Sequence, residues 1–591
     1  MSKNAALAGA PFPEDQLTQL KRLLDSASRE QRIWLSGYIA GLEDVAAAPA
    51  APAMPPATKP KLTILYGTES GNAEALAAAA RKTASRLGFN VKILDMMDAT
   101  PTQLAKLGTV LVVVSTWGEG EPPQRAEAFH AALMAPDTPR LEGLKFAVLA
   151  LGDRAYARFC ETGKQFDARL AGLGATRLAP VMECDLDYKK PAAAWIDSTL
   201  KLLDNGKPAD NVGAVIAFPR PAAIEDEDAQ PALIAAPIAA EVTELTNLNS
   251  SRSETETYHV VLSLEGSEIA YEPGDSLGFV PTNDPALVED VLRIAGLTGN
   301  DQAHSALSRD FDITLLTRSQ IVSYGTLTGE AKLTALAGDE AALTDFLKDR
   351  QFIDLLEAAP HALTPEQLTG LLRPLPARLY SIASSRKAVG EEAHLLIAKV
   401  AWGSHGRARR GVASGQVAER LKVGDPLAVH LKGNPHFRLP EDPDRPVVMI
   451  GPGTGVAPFR AFLQEREAVG AKGRNWLFFG ARRFTHDFLY QLDWQDWHKA
   501  GLLSQIDLAF SRDQREKIYV QHRMWEARRE LYAWLQDGAA IYVCGDAKAM
   551  ARDVHAALLS IIADQADVSP EAALEELRRL QREGRYKRDV Y

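Results

Sequence analysis

The stretch that most constrains the fold is Gly67-Thr68-Glu69-Ser70-Gly71-Asn72-Ala73. Before it runs Leu62-Thr63-Ile64-Leu65-Tyr66, a short apolar, partly β-branched segment that reads as a buried parallel strand. After it, Glu74 to Leu87 is rich in Ala, Lys and Arg and reads as a helix stopped by Gly88. A loop between the end of a strand and the start of a helix collects hydroxyls, an amide and free backbone N–H groups. Such a turn binds phosphate without Lys or Arg. A Gly/Ser loop that merely turns the chain would carry the same residues, so the loop alone leaves both readings open.

The text downstream decides between them. Residues 60 to 204 alternate strand and helix, with further strands expected at Val91–Asp95, Val110–Ser115 and Lys145–Leu151. That alternation implies a doubly wound α/β sheet with ligands outside the carboxyl ends of its strands. Two loops leave those ends: Ser115-Thr116-Trp117-Gly118-Glu119-Gly120-Glu121, and Leu151-Gly152-Asp153-Arg154-Ala155-Tyr156-Ala157-Arg158-Phe159-Cys160. Each puts one aromatic, Trp117 or Tyr156, into a polar loop where a core role is not expected. Two aromatics beside a phosphate site can sandwich a flat ring. Phosphate plus flat ring points to FMN.

At 591 residues the chain is too long for one core and should hold three or four domains. Residues 1 to 59 read as a helical pair, with Leu17, Leu20 and Leu24 on one face and Trp34, Tyr38 and Leu42 on the next, followed by an Ala/Pro tether. Packing on the same chain and subunit assembly both remain open for that pair. Residues 205 to 236 form a Pro-rich, acidic linker. From 237 to 440 the text turns to short strands, interrupted by an inserted helical subdomain at about 285 to 371. Within this region Arg378-Leu379-Tyr380-Ser381 suits a charged, flat ligand, Arg378 against pyrophosphate and Tyr380 against a ring. Gly411-Val412-Ala413-Ser414, after the basic run Arg407 to Arg410, reads as a second backbone phosphate clamp.

Residues 441 to 591 return to α/β text. The strand Pro446–Ile450 runs into Gly451-Pro452-Gly453-Thr454-Gly455-Val456-Ala457, a glycine turn opening a helix and hence a dinucleotide-type site. Further strands are expected at Trp476–Phe479, Gln505–Phe510 and Ile541–Cys544. Ser511-Arg512 and Lys517-Ile518-Tyr519-Val520-Gln521 follow, and Arg512 with Lys517 can hold the extra phosphate that distinguishes NADP from NAD. A net charge of -11 argues against a nucleic-acid partner. Cys160, Cys184 and Cys544 are too scattered for a metal or disulfide framework, which suits a reducing cytoplasm. There is no basic apolar signal region and no apolar run long enough for a bilayer.

Taken together, these motifs resemble the diflavin reductases, the family of NADPH–cytochrome P450 reductase, and within it most nearly the bacterial NADPH–sulfite reductase flavoproteins. The resemblance runs over essentially the whole chain, with three nucleotide sites in family order. It implies a flavodoxin-like domain, then a ferredoxin–NADP reductase-like module made of an FAD-binding β-barrel with a helical insertion and an NADP domain. Thr68 to Ala73, Ser115 to Gly118 and Leu151 to Cys160 match the FMN loops. Arg378 to Ser381 and Gly411 to Ser414 match the FAD loops, and Thr314 and Leu396-Ile397-Ala398 fall where the family also touches FAD. Thr454, Ser511-Arg512, Lys517 to Gln521 and Asp553 match NADP positions. Ser381, Cys544 and Asp589 would line the hydride-transfer site, with Tyr591, the final residue, over the FAD ring. Trp117 replaces a usual Gln or Tyr, and Trp402 stands near a usual Tyr of the FAD site.

By this resemblance electrons would run from NADPH to FAD to FMN to an external metalloprotein, in the nearest case the sirohaem and iron–sulfur hemoprotein of sulfite reductase. Homo-oligomerisation through the N-terminal segment is expected. Two rivals stand beside it: a P450-reductase-like enzyme with another haem acceptor, and a flavin carrier that has lost NADPH oxidation. Glu119, Glu121, Asp153 and Glu161 are expected to form an exposed acidic rim that steers a basic acceptor.

Overall fold

The computed structural model describes residues 60–69, 71–118, 120–154, 158–185, 187–204 and 237–591. The helical pair and tether read at 1–59 and the linker read at 205–236 lie outside these residues.

Six strands make the first sheet: β1 (Lys61–Gly67), β2 (Asn90–Asp95), β3 (Thr109–Ser115), β4 (Lys145–Leu151), β5 (Thr176–Arg177) and β6 (Met182–Cys184). They run β2-β1-β3-β4-β5, with β6 also on β4, and every pairing is parallel. Ile64 and Tyr66 face a core under the helix Asn72–Arg86, while Leu65 faces Phe129 and Phe166 on the other side. Burial on both faces is why these strands read as unbroken apolar runs. The order reverses between β1 and β3, which opens a crevice at their carboxyl ends.

The second region begins with β7 (Ile238–Asn247), β8 (Thr257–Ser263) and β9 (Ser276–Phe279). Helices from Pro285–Ile294 to Pro365–Gly370 follow, with β10 (Phe311–Asp312) among them, and then β11 (Arg373–Pro374). β12 (Arg378–Ser381), β13 (Glu392–Ala398), β14 (Ala401–Ser404), β15 (Arg407–Arg410) and β16 (Pro426–Lys432) complete it. Six antiparallel strands run β12-β9-β16-β7-β8-β13, and the bridge between Ile382 and Leu395 brings the ends together as a barrel. The inserted helices keep a separate core around Leu292, Tyr324, Phe352 and Leu355. Within the basic run before Gly411, Arg410 lines the barrel cavity and the other arginines are held by carboxylates. Arg409 is 1% exposed and pairs with Asp354 at 2.7 Å, Arg407 pairs with Asp290 and Glu357, and Arg410 pairs with Glu419. Arg407 and Arg409 fasten the β14–β15 hairpin to the insertion.

The third sheet holds β17 (Val447–Pro452), β18 (Asn475–Ala481), β19 (Gln505–Phe510), β20 (Ala540–Gly545) and β21 (Tyr586–Val590), parallel and ordered β19-β18-β17-β20-β21. Sequence patterning missed β21. Only Tyr586 and Val590 of it are buried, and the Lys-Arg-Asp between them hid the strand. Residues Lys61–Tyr591 form one compact unit. No helix among the described residues is long and apolar enough to cross a membrane.

Candidate active site

The carboxyl ends of β1, β3 and β4 open on a cavity of about 370 Å3. Glu69, Asn72, Ser115, Thr116, Trp117, Gly118, Leu151, Gly152, Asp153, Arg158, Phe159 and Cys160 all line it. Gly71, at φ 81°, starts the helix Asn72–Arg86 with no side-chain cap, so the first helical N–H groups stay free for a ligand. Thr68 Oγ is buried at the head of the same loop and has no hydrogen-bond partner. Ala73 packs into the core instead, and Arg154 lies outside the cavity, 4.9 Å over the Phe159 ring. Ser70, Glu119, Ala155, Tyr156 and Ala157 lie outside the described residues. Asp185 and Tyr188, from the turn after β6, also line the cavity and carried no motif that would have singled them out.

A second cavity of about 720 Å3 lies at the mouth of the barrel. Thr314, Arg378, Leu379, Tyr380, Ser381, Leu396, Ala398, Trp402, Gly411, Val412 and Ser414 converge on it. Ile397 and Ala413 point into the barrel core, because strand alternation turns Ile397 away from its neighbours. Lys432, Gly433, Asn434 and His436 join the lining from the turn after β16. A Gly-Asn-Pro turn ending a strand was the available signal, but only the β9–β16 pairing brings that turn here.

The third cavity, about 830 Å3, follows the ends of β17, β18 and β20. Ala398, Thr454, Ser511, Tyr519, Val520, Gln521, Asp553 and Tyr591 line it, and Gln521 Nε2 donates to Asp553 at 2.9 Å. Ile518 packs on the sheet's core. Arg512 and Lys517 are exposed beyond the rim. Arg512 and Arg482 both pair with Glu254, and Arg483 donates to the Arg512 carbonyl at 3.1 Å. This arginine group was not foreseen, since its members come from the ends of two adjacent strands.

Where the barrel meets the third sheet, Ser381 Oγ donates to Asp589 Oδ2 at 2.9 Å and Asn434 Nδ2 donates to Oδ1 at 3.3 Å. The Cys544 thiol lies 3.9 Å from Oδ2. Asp589 stands opposite Cys544 in the β20–β21 ladder. Burial raises the Asp589 carboxyl, against the hydrogen bonds from Ser381 and Cys544. Burial, then the Asp589 charge, holds the Cys544 thiol well above its ordinary range, so it stays protonated. Tyr591 borders all three cavities. Its hydroxyl meets Thr454 Oγ at 3.0 Å, and its backbone pairs with Gly545 and Ala547.

Three protein-family models match the chain: flavodoxin over residues 64–195, an FAD binding domain over 230–327 and an oxidoreductase NAD-binding domain over 449–556. The sulfite reductase [NADPH] flavoprotein alpha-component of Bacillus subtilis is 46% identical over 604 aligned residues, covering 98% of this chain and 99% of that protein. The proteins of the same name from Cronobacter sakazakii and Yersinia enterocolitica are 41% and 40% identical, each covering 98% of both chains. The chain belongs to this flavoprotein family.

As a sulfite reductase flavoprotein alpha-component family member it is an oxidoreductase with FMN, FAD and NADPH as its cofactors. The residues fit these groups. The orphaned Thr68 hydroxyl and the uncapped helix start suit a phosphate, and Trp117 supplies a flat face beside them. Gly411 starts the helix Val412–Glu419 without a side-chain cap at the second cavity, which suits a pyrophosphate. At Gly455 a Cβ would sit 2.1 Å from the Cys544 carbonyl oxygen, so only glycine lets this turn close on the sheet.

The expected acidic rim needs correction. Glu121 pairs with Arg552 at 3.2 Å, Asp153 with Arg373 at 2.7 Å, and Glu161 with Arg158 at 3.4 Å. Arg373 and Arg552 belong to the barrel and third-sheet regions. Asp153 thus faces inward and Glu121 is tied across an exposed contact to the third-sheet region, each to a cation hundreds of residues away, whereas Glu161 keeps a local partner three residues before it.

Proposed function

We propose that this chain carries electrons from NADPH through its FAD and FMN sites to the hemoprotein of sulfite reductase, in the bacterial cytoplasm. The supporting observation is that three cavities, one at the strand ends of each α/β sheet and one at the barrel mouth, converge on one residue, Tyr591. Flavins bound in series turn a two-electron donor into one-electron deliveries, which haem and iron–sulfur acceptors require. The relatives do not favour a P450-reductase-like alternative.

In this reading, Ser381, Cys544 and Asp589 orient the nicotinamide and FAD rings. Asp589 accepts from Ser381 and keeps a carboxylate where positive charge develops during hydride departure. Tyr591 shields the FAD site and must leave it for nicotinamide to stack. Arg482, Arg483 and Arg512 hold the 2′-phosphate, whose contacts offset the loss of Tyr591 packing. Residues 60–204, 237–440 and 441–591 act as FMN, FAD and NADP domains, and residues 1–59 as an assembly segment.

The test is Tyr591→Ala, read as kcat/KM for NADPH and NADH with ferricyanide as acceptor. The NADPH/NADH ratio should fall, since NADH no longer has to displace the ring. An unchanged ratio would remove Tyr591 from the site. Transfer to the purified hemoprotein should yield sulfide from sulfite only with both flavins bound.

A further inference from the structure

A buried polar cluster joins the barrel to the third sheet away from the three cavities. At its centre is Arg460 of the helix Ala457–Ala468, with its side chain 12% exposed. Nε donates to Asp493 at 2.6 Å, and Nη1 donates to the Ala383 carbonyl at 2.9 Å and to His394 Nδ1 at 3.2 Å. The guanidinium lies 4.8 Å over the Tyr490 ring. The Tyr490 hydroxyl meets His259 Nδ1 at 2.8 Å, and the two imidazoles stand edge to face 5.0 Å apart. His259 comes from β8 and His394 from β13, whereas Arg460, Tyr490 and Asp493 belong to the third-sheet region.

A guanidinium N–H donating to Nδ1 requires that nitrogen to be bare. His394 is therefore neutral, with its proton on Nε2 facing Glu392 at 3.3 Å. Burial and the Arg460 charge push His394 down to about 4, against Asp493. Burial, His394 and Arg460 push His259 to about 4 as well, against Glu244 and Asp493.

The helix that carries Arg460 is a strut. Its entry turn rests on Cys544 at Gly455, and one turn into the helix Arg460 grips Ala383, two residues beyond Ser381. One rigid element thus links the strand of Ser381 to the strand of Cys544, and both residues reach Asp589.

We propose that Arg460 is a positioning residue that fixes Ser381 of the FAD barrel against the Cys544–Asp589 edge of the nucleotide sheet, with His394 as its acceptor and Asp493 as its counter-ion. This rests on the hydride-transfer reading of those three residues. Lysine cannot replace it, because a single ammonium on a flexible stem does not reproduce the guanidinium fork.

The test uses Arg460→Lys, Arg460→Ala and Asp493→Asn in the full chain. Arg460→Lys should keep its flavin content and hold the KM for NADPH within about twofold, while kcat for ferricyanide falls about tenfold, within the range expected of a misplacement near 1 Å. The primary isotope effect with NADPH deuterated at the transferred C4 position should rise. Asp493→Asn should move both quantities the same way by less.

A second readout is independent of turnover. Both histidines titrate lower folded than their ordinary 6.5, so the unfolded chain binds more protons between pH 6.5 and about 4. Stability from this cluster is complete above pH 6.5 and falls as pH drops through that window. Removing the Arg460 charge raises His394, so Arg460→Ala should lose less stability than the parent across the window. Unchanged kcat and isotope effect in Arg460→Lys and Asp493→Asn, or loss of kcat only in proportion to lost flavin, would overturn the proposal. A parent that fails to oxidise NADPH would instead overturn the hydride-site reading itself.

Discussion

Helices in the insertion and helices at the cofactor cavities begin differently. In the insertion most helix starts are satisfied by side chains of the insertion itself, the helix Ala331–Gly338 on Glu330 being an exception. Asp284 accepts from Ala286 N at 3.0 Å, Asn300 from Ala303 N at 2.9 Å, Thr317 from Gln320 N at 3.3 Å and Thr364 from Gln367 N at 3.2 Å. At the cavities the helices Asn72–Arg86 and Val412–Glu419 start on Gly71 and Gly411 with no side-chain cap, whereas at Glu161–Gly172 the Thr162 N–H already donates to Thr116 Oγ at 3.2 Å. Uncapped N–H donors carry the positive end of the helix dipole and favour an anion there. The insertion therefore spends most of its helix-start donors on its own side chains, while the helices at Gly71 and Gly411 leave theirs open to phosphate.

This contrast can be broken in three ways of decreasing size. Arg409→Ala leaves Asp354 buried and unpaired, so stability should fall by about 3–5 kcal/mol. The loss should be the same with and without added FAD, as read by thermal unfolding. A flavin-dependent loss would mean that the insertion is not self-sufficient.

Stripping FMN should lower the unfolding transition of the first-sheet region. Restoring it at a thousand times its dissociation constant should return about 4 kcal/mol. The insertion's own transition should not move. If apo and FMN-loaded proteins unfold alike, the free donors at Gly71 are not awaiting a phosphate.

The smallest effect is Thr317→Ala, which removes one self-made cap and should cost about 1 kcal/mol. FAD content and NADPH KM should stay at parent values. A drop in FAD content would tie that cap to the cofactor instead.

The same contrast explains what could be read before the fold was known. Phosphate chemistry is local, so Gly67 to Ala73, Gly411 to Ser414 and Gly451 to Ala457 were legible as contiguous motifs. Ile397, Ala413 and Ile518 entered as members of such stretches, yet alternation and packing turn them into the core. Asn434, Tyr188 and Arg482 were not legible, because they reach their cavities only through strand pairing between distant segments. Electrostatics misled where the partner lay far away. Glu121 and Asp153 looked solvated until Arg552 and Arg373 came to meet them.

The ladder between β20 and β21 also has a consequence for biosynthesis. β20 donates its outer edge to β21, and some forty residues separate the two. On the ribosome, β20 emerges with that edge unpaired, and it stays so until the two intervening helices and β21 have been made. An apolar strand held open in this way invites pairing with another nascent chain. Asp589 arrives on the same strand that closes the edge. Closure of the Ser381–Cys544–Asp589 cluster and removal of the aggregation hazard are therefore one folding event.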